Sequence, residues 1–339
     1  MFWALFWIIP QVFSRLNQVE WSFSQESGRS AWSIGAELFA GYQQQPLDQP
    51  QRWLILGVDK IEGSNRSDVL TDTIILASYD PAANTLKLLS FPRDIYLPEQ
   101  RARINALYQL AKDSGEPIPE SAVQNIFSEI IDQPIGSTIV VSLDELAEII
   151  DIMGGLPIVV QNSFSDPAFP RSGVDVTVER DPAILYEGLS FVAGPQVMDG
   201  DTALKFIRSR KAVEPEEAGD EARARRQRQV IEAMIQRLQS TEILAHPAVL
   251  GRLYNWYSQK LLPKVPLTVL GRLAKTALDQ EKSLTMESIS LPVTDLPVAT
   301  DSATLFVHPP ERKYNGAWVY EPVDPTWQQL QEFIRAQGL

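Results

Sequence analysis

The run RWLILGVD at residues 52–59 is followed closely by DTIILASYD at 72–80 and TLKLLSFP at 85–92. Each is a short apolar segment that ends in a polar turn, which is typical of a strand buried on both faces of a parallel sheet. Three such runs in quick succession predict the core of a β-sheet.

Helical periodicity follows in SLDELAEIIDIMGG, residues 142–155. Ser142 and Glu145 have the spacing of a capping box, and Gly154 is placed to end the helix. Its apolar residues share one face: Leu143, Leu146, Ile149, Ile150 and Met153. The strand-like run LPIVVQN comes next, and this alternation favours an α/β fold over separate helical and sheet domains.

Two further segments have recognisable patterns. A second helix is predicted from Ala222 to Leu238, with one apolar side formed by Val230, Ile231, Met234, Ile235 and Leu238. Residues 286–339 are predicted to form short strands in SISLPV, ATLFVH and GAWVYEP, followed by a closing helix in TWQQLQEFIRAQ.

The composition excludes several classes of function. The 339-residue chain has a formal net charge of −13, which argues against a general binder of nucleic acid. It has no cysteine, so disulfides, thiolate catalysis and cysteine-based metal sites are excluded. His246 and His308 are far apart in sequence and do not suggest a zinc pair.

One stretch reverses this acidic balance. KFIRSRKAVEPEEAGDEARARRQR, residues 205–228, has eight basic and five acidic side chains. If the RSR segment is extended, Arg208 and Arg210 point to the same side, and guanidinium groups suit bidentate binding of phosphate. Arg223 and Gln227 are four apart near the positive end of a helix, and Asp220 is a candidate N-cap. The alternative is a solvated charge run that pairs with Glu214, Glu216 and Glu217.

Carboxylates flank the first loop of the predicted sheet. Asp59 ends one strand, Asp72 begins the next, and Arg93 follows the third. Ligands bind at the carboxyl ends of strands in parallel α/β sheets, and Mg²⁺ takes one or two carboxylates together with substrate phosphates. Ordinary loop acids are the alternative interpretation of Asp59 and Asp72.

The N-terminal segment MFWALFWIIPQVF has no charge before Arg15 and is shorter than a full membrane helix. Three interpretations stay open: a shortened transmembrane anchor, the apolar region of a signal peptide, or an amphipathic or buried helix. We expect the first.

These motifs together resemble the LytR-CpsA-Psr (LCP) family of envelope glycopolymer transferases. The resemblance rests on ILGVD, LTDTIILASYDP, LLSFPRDIYLP, RINALY, LDELAEIIDIMGGLPIVV, GPQVMDGDTALKFIRSR and DEARARRQRQVI, which follow in the family's order over about residues 52–236.

The resemblance implies a three-layer α/β/α sandwich with a central mixed β-sheet. It implies a Mg²⁺-dependent phosphotransferase that moves a glycopolymer from a polyprenyl-pyrophosphate carrier onto peptidoglycan through a phosphodiester. A membrane-anchored protein with its domain on the extracytoplasmic face is expected, with an apolar tunnel for the polyprenyl chain in which the helix of residues 143–153 forms one wall. The expected domains are an N-terminal segment at 1–20, a linker at 21–50, a catalytic core at 51–238 and a C-terminal extension at 239–339.

Site residues follow from the motif positions. Asp59 and Asp72 match the metal-associated aspartates. The pyrophosphate ligands implied are Arg93, Arg208, Arg210, Arg223 and Gln227, and the catalytic residues are Arg93, Arg223 and Asp220, the last as the candidate base for the acceptor hydroxyl.

The sequence departs from the family at Leu70, where most members have an arginine before the SDT motif. Arg66 is the candidate substitute. Two other functions use the same residues: hydrolysis of polyprenyl pyrophosphate, and a membrane-anchored module that binds or regulates a pyrophosphate lipid without turnover.

Overall fold

A computed structural model describes residues 18–59, 69–171, 174, 179–261, 265–279 and 284–339. They form two compact units, neither of which is continuous in sequence. The sheet unit comprises the described residues of 47–143 and 276–339, and the helical unit those of 1–46 and 144–275.

The elements in chain order are α1 (18–27), α2 (Ala31–Tyr42), β1 (Gln51–Asp59), β2 (Leu70–Asp80), β3 (Thr85–Ser90), β4 (Tyr96–Leu97), β5 (Ala102–Arg103), α3 (Leu107–Asp113), α4 (Pro119–Ile131), β6 (Ser137–Ser142), α5 (Leu143–Ile152), β7 (Leu156–Val160), β8 (Phe164–Pro170), α6 (Pro182–Leu185), β9 (Tyr186–Phe191), β10 (Gly194–Met198), α7 (Gly200–Arg208), α8 (Gly219–Leu238), α9 (Thr241–Leu244), α10 (Pro247–Lys260), α11 (Leu267–Leu278), β11 (Thr285–Ser290), β12 (Val293–Thr294), β13 (Phe306–Val307), β14 (Glu321–Pro322) and α12 (Gln328–Ala336). Short 3₁₀ turns lie at Ile104–Ala106, Pro215–Glu217 and Glu311–Tyr314.

The predicted α/β class with a mixed central sheet is confirmed. The five-stranded sheet has the order β11-β3-β2-β1-β6, in which β1, β2 and β3 pair antiparallel while β6 and β11 add in parallel. The expectation that the first three strands are parallel was wrong: ten residues separate β1 from β2 and four separate β2 from β3, whereas a parallel pair needs a crossover of about a dozen residues or more. The carboxyl ends of β1 and β3 and the start of β2 still lie at the same edge.

The core of the sheet unit packs against one face of the first three strands. Leu54 and Leu56 of β1 are buried, and Phe91 packs edge-on against Phe127 of α4 with ring centroids 5.5 Å apart. Leu330 and Ile334 of the closing helix α12 join the same cluster. Burial of each such side chain stabilises the fold by about 1.5–3 kcal/mol. The predicted closing helix is therefore a structural part of this unit.

In the helical unit, α2 and α11 cross at very short distance. A Cβ added to Gly41 would lie 1.9 Å from the carbonyl oxygen of Thr268, and one added to Gly271 would lie 1.9 Å from that of Leu38. Real Cβ atoms do not approach so closely, so both positions require glycine for this packing.

The two predicted helices differ in how well their faces were predicted. Ile149 and Ile150 of α5, and Met153 directly after it, are buried as expected, while Leu143 and Leu146 are half-buried. In α8 the predicted apolar face was partly wrong: Val230 is buried, but Leu238 is exposed. The buried side of α8 consists of Ala222, Arg226, Val230 and Ala233, so its centre is a charged residue.

The region predicted as a linker, residues 21–50, contains α2 and part of α1. Within the described parts of the chain, no helix has the length and apolar character needed to cross a membrane. The apolar segment of residues 1–13 lies outside the described residues.

Candidate functional site

Asp72 lies at an irregular point of the sheet. Gly57 pairs with Thr73 and Val58 pairs with Thr71, so Asp72 is the extra residue of a β-bulge between β1 and β2. A bulge redirects the side chain of its extra residue and often lies beside functional sites. Because of the bulge, the side chain of Asp72 does not follow the regular alternation of side chains between the two faces of β2.

Arg93 and Asp72 bind each other. Nη1 of Arg93 donates to Oδ1 of Asp72 at 2.6 Å, and the two side chains are 26% and 38% exposed. Asp94 lies 3.5 Å from Nε of Arg93 and also accepts from Arg103 at 2.8 Å. The residues predicted separately for pyrophosphate and metal are therefore one ion pair here.

The backbone of Asn105 is hydrogen-bonded to Arg93 and to Thr71, the residue before Asp72. Its N–H donates to the carbonyl oxygen of Arg93 at 3.3 Å, and its carbonyl oxygen accepts from Oγ1 of Thr71 at 3.1 Å. Asn105 is 2% exposed, and its side-chain oxygen has no hydrogen-bond donor among the described residues.

These oxygens suit a hard cation. Mg²⁺ prefers carboxylate and amide oxygens, usually with only one or two carboxylates from the protein. Asp72 provides a half-exposed carboxylate, and the Asn105 side-chain oxygen is buried without a donor from the described chain. Within the ranges that the structure describes, no group of three or more acidic or histidine side chains forms a metal cluster. The donor set fits a cation that completes its shell with substrate and water.

Two predicted residues of this region cannot be placed fully. Asp59 ends β1, opposite Leu70 in the β1–β2 register, and only its backbone is described. Arg66 lies outside the described residues, so its substitution for the arginine absent at Leu70 stays a prediction.

In the helical unit, Arg208 and Arg210 differ from the extended pair that was predicted. Arg208 is the last residue of α7, and the chain becomes extended only at Ser209, so the premise of a single strand was wrong. Asp199 caps the start of α7 by accepting from the Thr202 N–H at 2.9 Å. The Arg208 guanidinium lies 5.7 Å from the ring centroid of Phe169, within the range of a cation–π contact.

Asp166 fixes the backbone between these arginines. One of its carboxylate oxygens accepts from Oγ of Ser209 at 2.8 Å and from the backbone N–H groups of Arg210 and Lys211 at 3.1 Å each. Asp166 is 1% exposed and Ser209 is fully buried. Hydrogen bonds to a buried carboxylate are strong, so the segment that carries Arg208 and Arg210 is held in one conformation.

Arg226 holds the same segment from the other side. Its guanidinium donates to the carbonyl oxygens of Phe206, Ser209 and Glu217 and, at 2.9 Å, to the Glu217 carboxylate. It lies over the ring of Phe164, 4.8 Å from the centroid. Burial lowers the pKa of Arg226, and the neighbouring Glu217 opposes that effect. Arg226 is 1% exposed, so this is a buried ion pair within the basic stretch.

The remaining predicted residues lie in the first turns of α8. Ala218 is the N-cap, so the expectation of a cap at Asp220 was wrong; Asp220 lies inside the helix, and nothing is described of its side chain. Arg223 and Gln227 are both half-buried and one helical turn apart, as predicted.

The alternative interpretation of residues 205–228, a solvent-exposed run of ion pairs, applies to only part of this stretch. Arg225 pairs with Glu217 at 2.7 Å while 39% exposed, but Arg226 is buried, and Glu214 accepts from the backbone of Ser165 at 2.9 Å. Asp166 was missed, and Glu217 and Arg226 were counted only as members of a charge run, without their buried contacts. In the sequence, burial of Arg226 was indicated only by its spacing, since it lies four residues before Val230 and thus on the same helix face.

A model described as the LytR_cpsA_psr family matches residues 24–335. Curated relatives carry the name polyisoprenyl-teichoic acid–peptidoglycan teichoic acid transferase TagU. The protein of that name from Oceanobacillus iheyensis is 29% identical over 272 residues, which is 79% of this chain and 69% of the relative. The Bacillus subtilis protein is 28% identical over 186 residues, 54% of this chain and 50% of its own length.

The fold also matches solved structures. The crystal structure of Bacillus subtilis TagV superimposes with a TM-score of 0.55 at 19% sequence identity, and the match covers 86% of this chain and 97% of that one. At this identity the likeness shows a shared fold.

Proposed function

Because the chain belongs to the LytR-CpsA-Psr family, we propose that it transfers a glycopolymer from a polyprenyl-pyrophosphate carrier onto peptidoglycan through a phosphodiester. The names of the relatives support a polyisoprenyl-linked donor and a peptidoglycan acceptor. We place the protein in the cell envelope, anchored through its N-terminal apolar segment with its domain outside the cytoplasm.

The observation that carries the proposal is the fixed Arg208-Ser209-Arg210 segment. A buried carboxylate and a buried guanidinium hold the backbone between two arginines in an otherwise acidic chain. Preorganised cations need no rearrangement when negative charge develops, which makes them effective in phosphoryl transfer. A pyrophosphate diester with two negative charges is the ligand that this segment suits.

The reaction requires little covalent chemistry from the protein. The acceptor hydroxyl oxygen forms a bond to the phosphorus attached to the glycan, and the bond from that phosphorus to the bridging oxygen breaks. Polyprenyl phosphate leaves, and the hydroxyl proton passes to a base, for which Asp220 is our candidate. Arg208 and Arg210 stabilise the charge on the transferred and leaving phosphates, and Arg223 and Gln227 are proposed to contact the same groups.

In the sheet unit, Asp72 and Asn105 provide the oxygens that would hold Mg²⁺, together with Asp59 from the motif. When bound, the ion would neutralise charge on the pyrophosphate. Arg93, paired with Asp72 here, is positioned by Asp94 and Asn105. The full set of six pyrophosphate ligands, Arg93, Arg208, Arg210, Arg223, Gln227 and Arg66, stays a prediction.

Binding of a short-chain polyprenyl-pyrophosphate glycan to the full chain, measured by calorimetry, tests the proposal. Arg208→Ala and Arg210→Ala should each weaken binding by about 1.5–3 kcal/mol, the range for hydrogen bonds to charged groups. Arg225→Ala is the matched control, because its exposed pair with Glu217 leaves the segment intact. Equal losses at all three positions would indicate a diffuse charged surface and contradict the proposal.

A further inference from the structure

An aromatic cluster with a polar rim lies in the sheet unit. The His308 ring stacks on the Trp318 indole with centroids 3.7 Å apart and an angle of 14° between the planes. Tyr320 meets Trp318 nearly edge-on, at 88° and 6.4 Å. Trp318 remains 42% exposed. Since His308 covers one face of the indole, the exposed area belongs mainly to the other face and its rim.

The rim offers hydrogen-bonding groups of both kinds. Nδ1 of His308 lies 2.8 Å from the carbonyl oxygen of Val319, which can only accept, so Nδ1 carries the proton and Nε2 of the neutral ring is an acceptor. The Tyr320 hydroxyl donates to the exposed Asp295 carboxylate at 2.6 Å. The indole N–H of Trp318 is a further donor. An apolar ring face beside donors and acceptors matches the surface of a sugar ring, which has C–H groups on its faces and hydroxyls around its edge.

Backbone contacts join this cluster to the Arg93 segment. Tyr320 forms a parallel β-bridge with Ile95; its N–H donates to the carbonyl oxygen of Asp94 at 2.9 Å, and its carbonyl oxygen accepts from the N–H of Tyr96 at 2.8 Å. These contacts connect the residue two positions after Trp318 to the backbone of Asp94, which follows Arg93 in sequence.

We propose that Trp318, with His308, Tyr320 and Asp295 around it, binds one sugar ring of a glycan substrate. This inference rests on the proposed function, in which both the donor polymer and the peptidoglycan acceptor are glycans. The chemistry of recognition is the same for either source, namely stacking on the indole with hydrogen bonds from the rim. The subsite would hold the glycan while the phosphate contacts are made elsewhere.

The test uses the full-length protein and two metal-free, lipid-free probes: muramidase-digested peptidoglycan oligosaccharides, and the free repeat unit of the donor polymer. Calorimetry and saturation-transfer NMR should show binding of one of them. Trp318→Ala should weaken that binding on the order of tenfold, which is about 1.4 kcal/mol, because the apolar face of the sugar ring is no longer covered by the indole. Trp318→Phe should retain much of it, and Trp32→Ala, a change at an exposed tryptophan of the helical unit, should have no effect.

Binding by peptidoglycan fragments alone assigns the subsite to the acceptor, and binding by the repeat unit alone assigns it to the donor. Binding of neither, or equal binding by Trp318→Ala and the wild type with unchanged melting temperatures, overturns the proposal. Turnover of the lipid-linked donor is measured on the same preparations. Turnover by a wild-type protein that binds neither probe refutes only the subsite, whereas sugar binding that depends on Trp318, without turnover by the wild type, refutes only the proposed function.

Discussion

Replacement of Arg226 by methionine should be strongly destabilising. The change keeps an unbranched side chain of similar length but removes the donors to three carbonyl oxygens and to the Glu217 carboxylate. Glu217 is 3% exposed and would keep only its partly exposed partner Arg225 and the amide of Asn162. Removing one partner of a buried ion pair costs about 3–5 kcal/mol. That is a large fraction of the roughly 5–15 kcal/mol by which a domain is stable.

Urea unfolding, together with amide hydrogen exchange in α7 and α8, measures this loss. Arg225→Met is the matched control. Arg225 binds the same Glu217 carboxylate at 2.7 Å, but its side chain is 39% exposed. Its replacement should therefore lower the free energy of unfolding by about 1 kcal/mol or less. The double change Glu217→Gln with Arg226→Met should recover part of the loss, because no buried charge remains. If Arg226→Met costs no more than the control, the guanidinium does not hold the Arg208–Arg210 segment and the reasoning fails.

Three further outcomes are expected. Asp72→Asn should abolish the response of donor turnover to added Mg²⁺ and to EDTA, and a wild-type response in that variant would remove Asp72 from the metal site. Gly41→Ala should destabilise the helical unit in thermal unfolding, whereas Gly35→Ala in the same helix has open space at the new methyl and should stabilise it by up to about 1 kcal/mol; the reverse order would contradict the close crossing of α2 and α11. Asp199→Ala should cost about 0.5–2 kcal/mol by removing the cap of α7. The hydrogen bond to Thr202 lowers the pKa of Asp199, so this contribution is present above the carboxyl's ordinary pKa and is lost as pH falls through the lowered value; a pH-independent difference between variant and wild type below pH 5 would argue against it.

Much of the sheet could be predicted from apolar runs and their boundaries. The runs at 52–59, 72–80 and 85–92 form β1, β2 and β3, and the helix at 143–153 buries the predicted face. Strand direction was not predictable from these runs, because a strand buried on both faces has the same composition in parallel and antiparallel sheets. The antiparallel hairpins still bring Asp72 and Arg93 to one edge.

The basic stretch was harder to interpret, because a charged side chain gives no periodic signal of burial. Arg226 is on the buried face of α8, where pattern rules expect an apolar residue, and Asp166 lies within β8 at a distance in sequence from the arginines that it positions. Both depend on tertiary contacts between elements. Arg208 and Arg210 were predicted to share a side on the assumption of an extended RSR segment, but the helix α7 continues through Arg208.

The polyprenyl tunnel stays a prediction. The helix expected to form its wall is α5, where Ile150 and Met153 are buried. A separate small cleft in the helical unit is lined by Phe164 and Phe206 together with charged and polar groups such as Glu217, Arg225 and Gln229. The charged part of its lining does not suit a long apolar chain.

The central claim is that the phosphate travels with the glycan to an acceptor hydroxyl. The direct measurement incubates the full-length protein with a polyprenyl-pyrophosphate glycan and peptidoglycan oligosaccharides, and analyses the products by ³¹P NMR and mass spectrometry. We expect a phosphodiester between the glycan and a peptidoglycan sugar, with one polyprenyl phosphate released for each bond formed. A free glycan phosphate monoester beside unmodified peptidoglycan, or donor that stays intact, would contradict it.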